Sequence, residues 1–261
     1  MSAVSMFAFS AALQSRLDRL FSDVEHRLSD HWISARQAAP WRVEWRDLPR
    51  DSRGRPLLWL ERAADRWSFA RIRKHLTVGT SNPEISLASL SEMEPGVQVL
   101  DESARWTDCA LVGVAGRPGP IGAFTYSLEL KWNASWRAGL PSDELLLEFW
   151  LHDVYVRPAH RGKGAMAALA YELRSAYLDL LQQFHPCLEA FAEGRQLVVA
   201  APVCANVVTE GGQAAVRLVF DLLVEGLDDE LHYGWRRSRQ RYNASSFRKG
   251  CVTIELREQF G

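Results

Sequence analysis

From about Phe7 to about Ala35, apolar residues recur at three- and four-residue steps. Leu13, Leu17, Leu20, Phe21, Val24 and Leu28 form one stripe, and charges fill the other face. That spacing predicts an amphipathic helix. Pro40 fits a stop shortly after it. The period then drops to two: Trp41, Val43 and Trp45 alternate with polar residues, as on a half-buried strand. Asp51-Ser52-Arg53-Gly54-Arg55-Pro56 has turn composition, and Leu57-Leu58-Trp59-Leu60 is a candidate return strand. Residues 61–76 carry a weak helical pattern. Breakers at Asn82-Pro83 and Pro95-Gly96 make residues 80–96 loop-like. They are the best candidate boundary between an N-terminal extension, 1–96, and a core, 97–261.

The second half is more regular. Asp108 to Ala115 is a short apolar strand, Gly116-Arg117-Pro118-Gly119-Pro120 a turn, and Ile121 to Lys131 a second strand, which together predict a hairpin. After a loop around Gly139-Leu140-Pro141, residues Glu144 to Val156 form a long apolar strand. A helix is expected from about Ala165 to Phe184, with Met166, Leu169, Leu173, Tyr177 and Leu180 on one face. Gln196 to Pro202 is a strand, Gln213 to Glu225 a helix closed by Gly226, and Cys251 to Leu256 a final strand. This order predicts an α/β fold with a central mixed sheet flanked by helices and an N-terminal helical extension.

Composition narrows the function classes. With 261 residues, 47% hydrophobic and 24% charged, the chain can bury a full core. A formal net charge of -1 argues against a protein whose main task is coating nucleic acid. Cys109, Cys187, Cys204 and Cys251 form no CxxC pair and no zinc spacing, so no metal site is expected; four reduced thiols fit a cytoplasmic protein. The apolar start MSAVSMFAFSAAL lacks a basic leader, and Asp18 and Arg19 soon interrupt it. It reads as neither a signal peptide nor a membrane span.

The chemistry concentrates between the long strand and the helix after it. Arg157-Pro158-Ala159-His160-Arg161-Gly162-Lys163-Gly164 leads into Ala165-Met166. A helix start offers backbone N–H groups without intrahelical acceptors and the positive end of the helix dipole. Gly162 and Gly164 let that backbone approach a ligand, and Arg161 and Lys163 add charge. The combination suits a phosphate or pyrophosphate. A basic glycine-containing turn that merely starts a helix has the same composition. Glu148 and His152 share one face of the preceding strand by period two. Glu148 lies in the apolar run Leu145-Leu146-Leu147-Glu148-Phe149-Trp150, so its carboxylate needs a partner or a raised pKa. His152 is either a general base or a hydrogen-bonded core residue. Asp153 faces the other way. The segment Trp235-Arg236-Arg237-Ser238-Arg239-Gln240-Arg241-Tyr242, with Arg248-Lys249, is basic; it is a solvated face, or a site for a cofactor phosphate, an acidic substrate or nucleic acid.

Asp153-Val154-Tyr155-Val156-Arg157-Pro158 followed by Arg161-Gly162-Lys163-Gly164-Ala165-Met166 resembles the signature of the GNAT superfamily of acyl-CoA-dependent N-acyltransferases. Pro120-Ile121-Gly122-Ala123-Phe124 resembles that family's third strand, and Gly226-Leu227 its closing Gly-Phe. The resemblance covers roughly residues 100–261. It implies acetyl-CoA as cosubstrate and a primary amine of a small molecule or protein as acceptor. It implies a strand that splays from its neighbour, so that Val154, Tyr155 and Val156 meet the pantetheine arm. It implies that Arg161, Gly162, Lys163, Gly164, Ala165 and Met166 hold the pyrophosphate. Asn206 takes the place of the family's asparagine after the fifth strand, and His152 aligns with the glutamate of amine-acetylating relatives. Leu222 stands where the family often has a tyrosine acid. A CoA-binding module without catalysis, or a nucleic-acid-associated protein using residues 235–249, are the other readings of the same features.

Overall fold

The structure is a computed structural model that describes residues 3–37, 49–63, 67–77, 93–100, 103–137, 140–207, 209–230, 236–239 and 245–260. Their strands are β1 (Leu58–Arg62), β2 (Gly96–Leu100), β3 (Ser103–Val114), β4 (Pro120–Arg137), β5 (Leu140–Val156), β6 (Leu197–Ala205), β7 (Arg236–Arg239), β8 (Ser245–Lys249) and β9 (Val252–Phe260). They join in one mixed sheet in the order β1-β3-β4-β5-β6-β9-β8-β7, with β2 also on β3. Neighbours are antiparallel up to β5, parallel for β5-β6 and β6-β9, and antiparallel again through β8 and β7. The helices are α1 (Ala3–Gln37), α2 (Phe69–Thr77), α3 (Ala165–Ala192) and α4 (Glu210–Glu230).

The apolar stripe of α1 explains its place. Leu17, Leu20, Phe21, Val24 and Leu28 are all buried, in one core with Leu169, Leu173 and Tyr177 of α3, Val219 and Leu223 of α4, and Trp106, Tyr126 and Phe149 of the sheet. A smaller cluster sits on the opposite face, because Cys109 and Leu111 alternate with Ala110 and Val112 along β3. There Phe69, Ile72 and Leu76 of α2 cover Cys109, Leu111, Ala123 and Tyr155. Residues 1–96 thus supply a strand of the sheet and a helix of the main core.

Several boundaries differ from those the pattern predicts. Helix α3 does not stop near Phe184; it runs through Pro186 to Ala192. Proline costs a helix interior about 3 kcal/mol, but Cys187 and Leu188 continue the buried stripe beyond it. The chain leaves this helix at Glu193 and Gly194, both at positive φ. Helix α4 passes through Gly226 to Glu230 instead of closing there; glycine inside a helix costs only about 1 kcal/mol. Leu140 and Pro141, expected in a loop, belong to β5, which pairs with β4 out to Arg137 and Leu140; Gly139 lies outside the described residues. The turn at 51–56 is present, with Gly54 at φ 73° and the Asp51 carboxylate accepting from the Arg53 and Arg55 N–H groups. The strand expected at Trp41, Val43 and Trp45 lies outside the described residues.

A buried ion pair fastens the N-terminal strand to the central helix. Arg62 Nε donates to Glu172 Oε1 at 2.6 Å, and an Arg62 terminal nitrogen donates to Asp179 Oδ2 at 2.8 Å. Burial opposes the charge on Arg62, but Glu172 and Asp179 overcome it and hold the guanidinium protonated. Glu172 is only 2% exposed. Removing it strips a desolvated cation of its nearer partner, so Glu172→Ala is expected to cost about 3 kcal/mol in urea unfolding. A loss below about 1 kcal/mol would show that Asp179 alone neutralises Arg62.

Candidate functional site

The site begins where two parallel strands part. Pairing between β5 and β6 runs from Leu145 and Val199 to Leu151 and Ala205. There β6 ends, while β5 continues to Val156 with β4 as its partner. The register on the β4 side shifts at the same place: Tyr126 faces Leu151, but Phe124 faces Val154. His152 and Asp153 therefore oppose Thr125 alone, which is a β-bulge. The bulge exchanges the faces of β5. Before it, Leu145, Leu147, Phe149 and Leu151 belong to the main core; after it, Val154 and Val156 pack there, and Tyr155 turns into the α2 cluster.

Backbone direction follows from the ladder. The Arg157 N–H donates to Ile121 O at 2.8 Å, so Arg157 and Tyr155 spend their backbone groups on β4. Alternation turns the groups of Val154 and Val156 to the side that β6 has left. The Val156 carbonyl accepts from Arg161 Nε at 3.0 Å. Of the three residues expected to meet an extended arm, Val154 and Val156 turn backbone groups to an edge that no strand pairs among the described residues, with the Val156 carbonyl taken by Arg161. Tyr155 does not, because its backbone is committed to β4 and its ring to α2.

After Val156 the chain makes one 3₁₀ turn, Pro158–His160, and reaches Gly162 at φ 70°. Gly164, at φ 80°, caps α3 without any side-chain hydrogen bond. The first bond into the helix is Ala168 N–H to Gly164 O at 3.0 Å. The N–H groups of Ala165, Met166 and Ala167 therefore have no intrahelical acceptor. Arg161 to Gly164 are exposed, Ala165 is buried, and Met166 packs against the main core. Lys163 Nζ donates to Ala159 O at 2.8 Å. A Cβ on Gly162 would meet nothing within 4 Å, whereas one on Gly164 would lie 2.9 Å from Pro49 Cγ. Gly164 thus also serves packing. Asn206 is exposed, one residue beyond the end of β6.

Glu148, Trp150 and His152 occupy the face of β5 opposite the main core. The buried Glu148 carboxylate has the partner its apolar run demands: Oε2 lies 2.8 Å from Lys131 Nζ and accepts from Trp150 Nε1 at 2.9 Å. Glu129 stands directly across on β4 and pairs with Arg105 at 2.7 Å. His152 Nε2 lies 2.9 Å from Ser127 Oγ, and its ring is parallel to that of Trp150 within 9°. Burial lowers its pKa to about 4; Asp153 opposes that shift and Arg105 adds to it. Asp153 is not remote from the ring, as strict alternation would have it, because the bulge breaks the period between them. Ser127, Lys131 and Trp150 carry no signal in the sequence as partners, since only the strand register brings them to His152 and Glu148.

Other candidates are placed elsewhere. Leu222 is 5% exposed within the main core. Arg236–Arg239 form the edge strand β7, with Arg236 opposite Arg248, and residues 231–235 and 240–244 lie outside the described residues. Among the described residues no cluster of His, Cys, Asp or Glu could hold a metal ion, and no helix is long and apolar enough to cross a membrane. All four cysteines are free thiols, and burial pushes that of Cys109 far up.

No protein-family model matches the chain, and no curated protein matches it. A comparison of structures finds similarity to an aminoglycoside acetyltransferase from an uncultured soil metagenomic sample, in complex with trehalose. The identity is 11%, the match covers 72% of this chain and 93% of that one, and the TM-score is 0.27. A superposition that loose carries no argument about this chain.

The neutral His152 ring makes stability depend on pH. Its folded pKa lies below the ordinary histidine value, so the unfolded chain takes up the proton first. Its contribution is fully present above about pH 6.5 and is lost as pH falls toward 4. From pH 7 to pH 5 that loss is about 2 kcal/mol. Urea unfolding at both pH values should show it in the parent and not in His152→Gln. An equal loss in both proteins would assign it to other groups.

Proposed function

We propose that this chain is an acyl-CoA-dependent N-acyltransferase that moves an acetyl group from acetyl-CoA to a primary amine of a small molecule or protein. The observation that carries this reading is the parting of β5 and β6 at Leu151 and Ala205, just before the uncapped start of α3. An open strand edge binds an amide-bearing arm as it would bind another strand. Val154 and Val156 supply that edge for pantetheine. The free N–H groups of Ala165 and Met166, with Arg161, Gly162, Lys163 and Gly164, suit the pyrophosphate. Asn206 flanks the opening where β6 ends.

The acceptor nitrogen attacks the thioester carbonyl carbon; the C–N bond forms, the C–S bond breaks, and CoA leaves as the thiol. The amine must give up a proton, and the carbonyl oxygen must be stabilised while it carries charge. His152 is favoured as the proton acceptor. It lies in the bulge where the strands part, and one ring nitrogen is unprotonated at physiological pH. The burial that lowers its pKa to about 4 also makes it a weaker acceptor than a free imidazole. The Glu148 Oε2 atom is already engaged by Lys131 Nζ and Trp150 Nε1, so it is less available to an amine. A second reading, a CoA-binding module without turnover, is favoured by one observation: at position 222 a buried leucine offers no hydroxyl to protonate the leaving thiolate.

Acetyl-CoA should raise the melting temperature, because a ligand bound only by the folded state stabilises it. The Gly162→Asp and Gly162→Asn variants test the loop. Both side chains tolerate positive φ, and the site has room for either. They differ in charge. The aspartate variant should bind acetyl-CoA roughly tenfold more weakly than the asparagine variant. If both bind as the parent does, the segment is only a turn.

Turnover separates the two candidate bases. His152→Ala should depress acetyl transfer at neutral pH, with partial recovery as rising pH supplies free amine, and Glu148→Gln should change it little. The reverse pattern would move the role to Glu148. Absence of thiol release with a panel of amines, in a protein that binds acetyl-CoA, would favour the module without turnover.

A further inference from the structure

We propose that Ser127 is a positioning residue for His152: its Oγ accepts the Nε2 proton of the imidazole and so leaves Nδ1 as the nitrogen that takes the proton of the incoming amine. This rests on the base role proposed above for His152.

The ring is held from two directions. Its plane lies parallel to the Trp150 indole, with centroids 6.4 Å apart, and its Nε2 is 2.9 Å from Ser127 Oγ. Ser127 faces Trp150 across the β4-β5 ladder, so the hydroxyl and the aromatic surface come from adjoining strands at fixed register. A neutral imidazole carries one N–H, and the partner of one nitrogen decides the state of the other. With Nε2–H donating to Oγ, the Nδ1 lone pair is free. Among the described residues Nδ1 has no hydrogen-bond partner. Burial keeps the ring neutral; the charged groups facing it, Asp153 from the bulge and Arg105 from β3, act in opposite directions. Further along the face, Glu129 and Glu148 are neutralised by Arg105 and Lys131.

The opposite arrangement, with the serine O–H donating to Nε2, is that of an activated nucleophile. Ser127 does not suit that role. It lies within the central strand β4 and is 2% exposed, so its oxygen does not present itself to an acyl carbon. In the positioning role the proton balance closes. The amine proton goes to Nδ1 as the C–N bond forms, Nε2–H stays on Oγ, and Nδ1 returns the proton to the sulfur as the C–S bond breaks.

The imidazole ¹⁵N NMR signals of the full-length chain test this without any ligand, with His152→Gln identifying the resonance. The parent should show the tautomer protonated at Nε2. Ser127→Ala should mix the two tautomers, and Ser127→Thr should restore the first. A parent ring protonated at Nδ1 would overturn the proposal. In acetyl transfer, Ser127→Ala should lower kcat about tenfold with KM for acetyl-CoA unchanged. It should add no loss in a His152→Ala background. Equal losses in both backgrounds would also overturn it. A chain that binds acetyl-CoA but transfers nothing would sink the catalytic reading, while the tautomer still decides what Ser127 does.

Discussion

Two parallel strands cannot part inside a sheet without leaving backbone groups that need another partner. Here the parting follows Leu151 and Ala205, and the rest of the site depends on it. Beyond that point β5 is held by β4 alone, and it stays in place because Tyr155 and Arg157 keep their ladder bonds. The bulge at His152 and Asp153 lies at the same position, so the strand changes face where it changes partner. An unpaired N–H or C=O costs about as much as a lost hydrogen bond when buried. An open edge therefore persists only if it meets water or a ligand.

The two faces of the sheet do different work. On one, α1, α3 and α4 bury a continuous apolar core, and Arg62, paired with the buried Glu172 and the half-buried Asp179, locks β1 to α3. That core fixes where α3 begins, and hence where its free N–H groups lie relative to the end of β5. On the other face, Arg105, Glu129, Lys131 and Glu148 pair across the strands. Beside them, burial keeps the His152 ring uncharged. The asymmetry arises because β4 alternates apolar and polar residues from Phe124 to Trp132, and Arg105 of β3 and Glu148 of β5 fall on the same face as its polar ones.

Much of this was legible along the chain. The stripe of α1, the hairpin of β3 and β4, the long β5, and the glycine-bearing basic segment before α3 all follow from local periodicity, which depends only on neighbours a few residues apart. The same holds for the free N–H groups that follow Gly164, since they accompany any helix start. Where local rules failed, distant contacts had outweighed them. Pro186 sits inside α3 because the stripe buries beyond it, and Gly226 sits inside α4 because one glycine does not end a packed helix.

What only the tertiary structure decided is register. No periodicity states that Ser127 meets His152, that Lys131 pairs with Glu148, or that Tyr155 turns toward α2. Each depends on which residue of one strand lies opposite which residue of the next, and a one-residue bulge reverses the answer. The sequence by itself determined that a strand runs into a basic, glycine-lined helix start, because that is a matter of adjacent residues. The opening between β5 and β6 was decided by the length of β6, whose end at Ala205 is set by its pairing with β5 and β9, strands far from it in the chain.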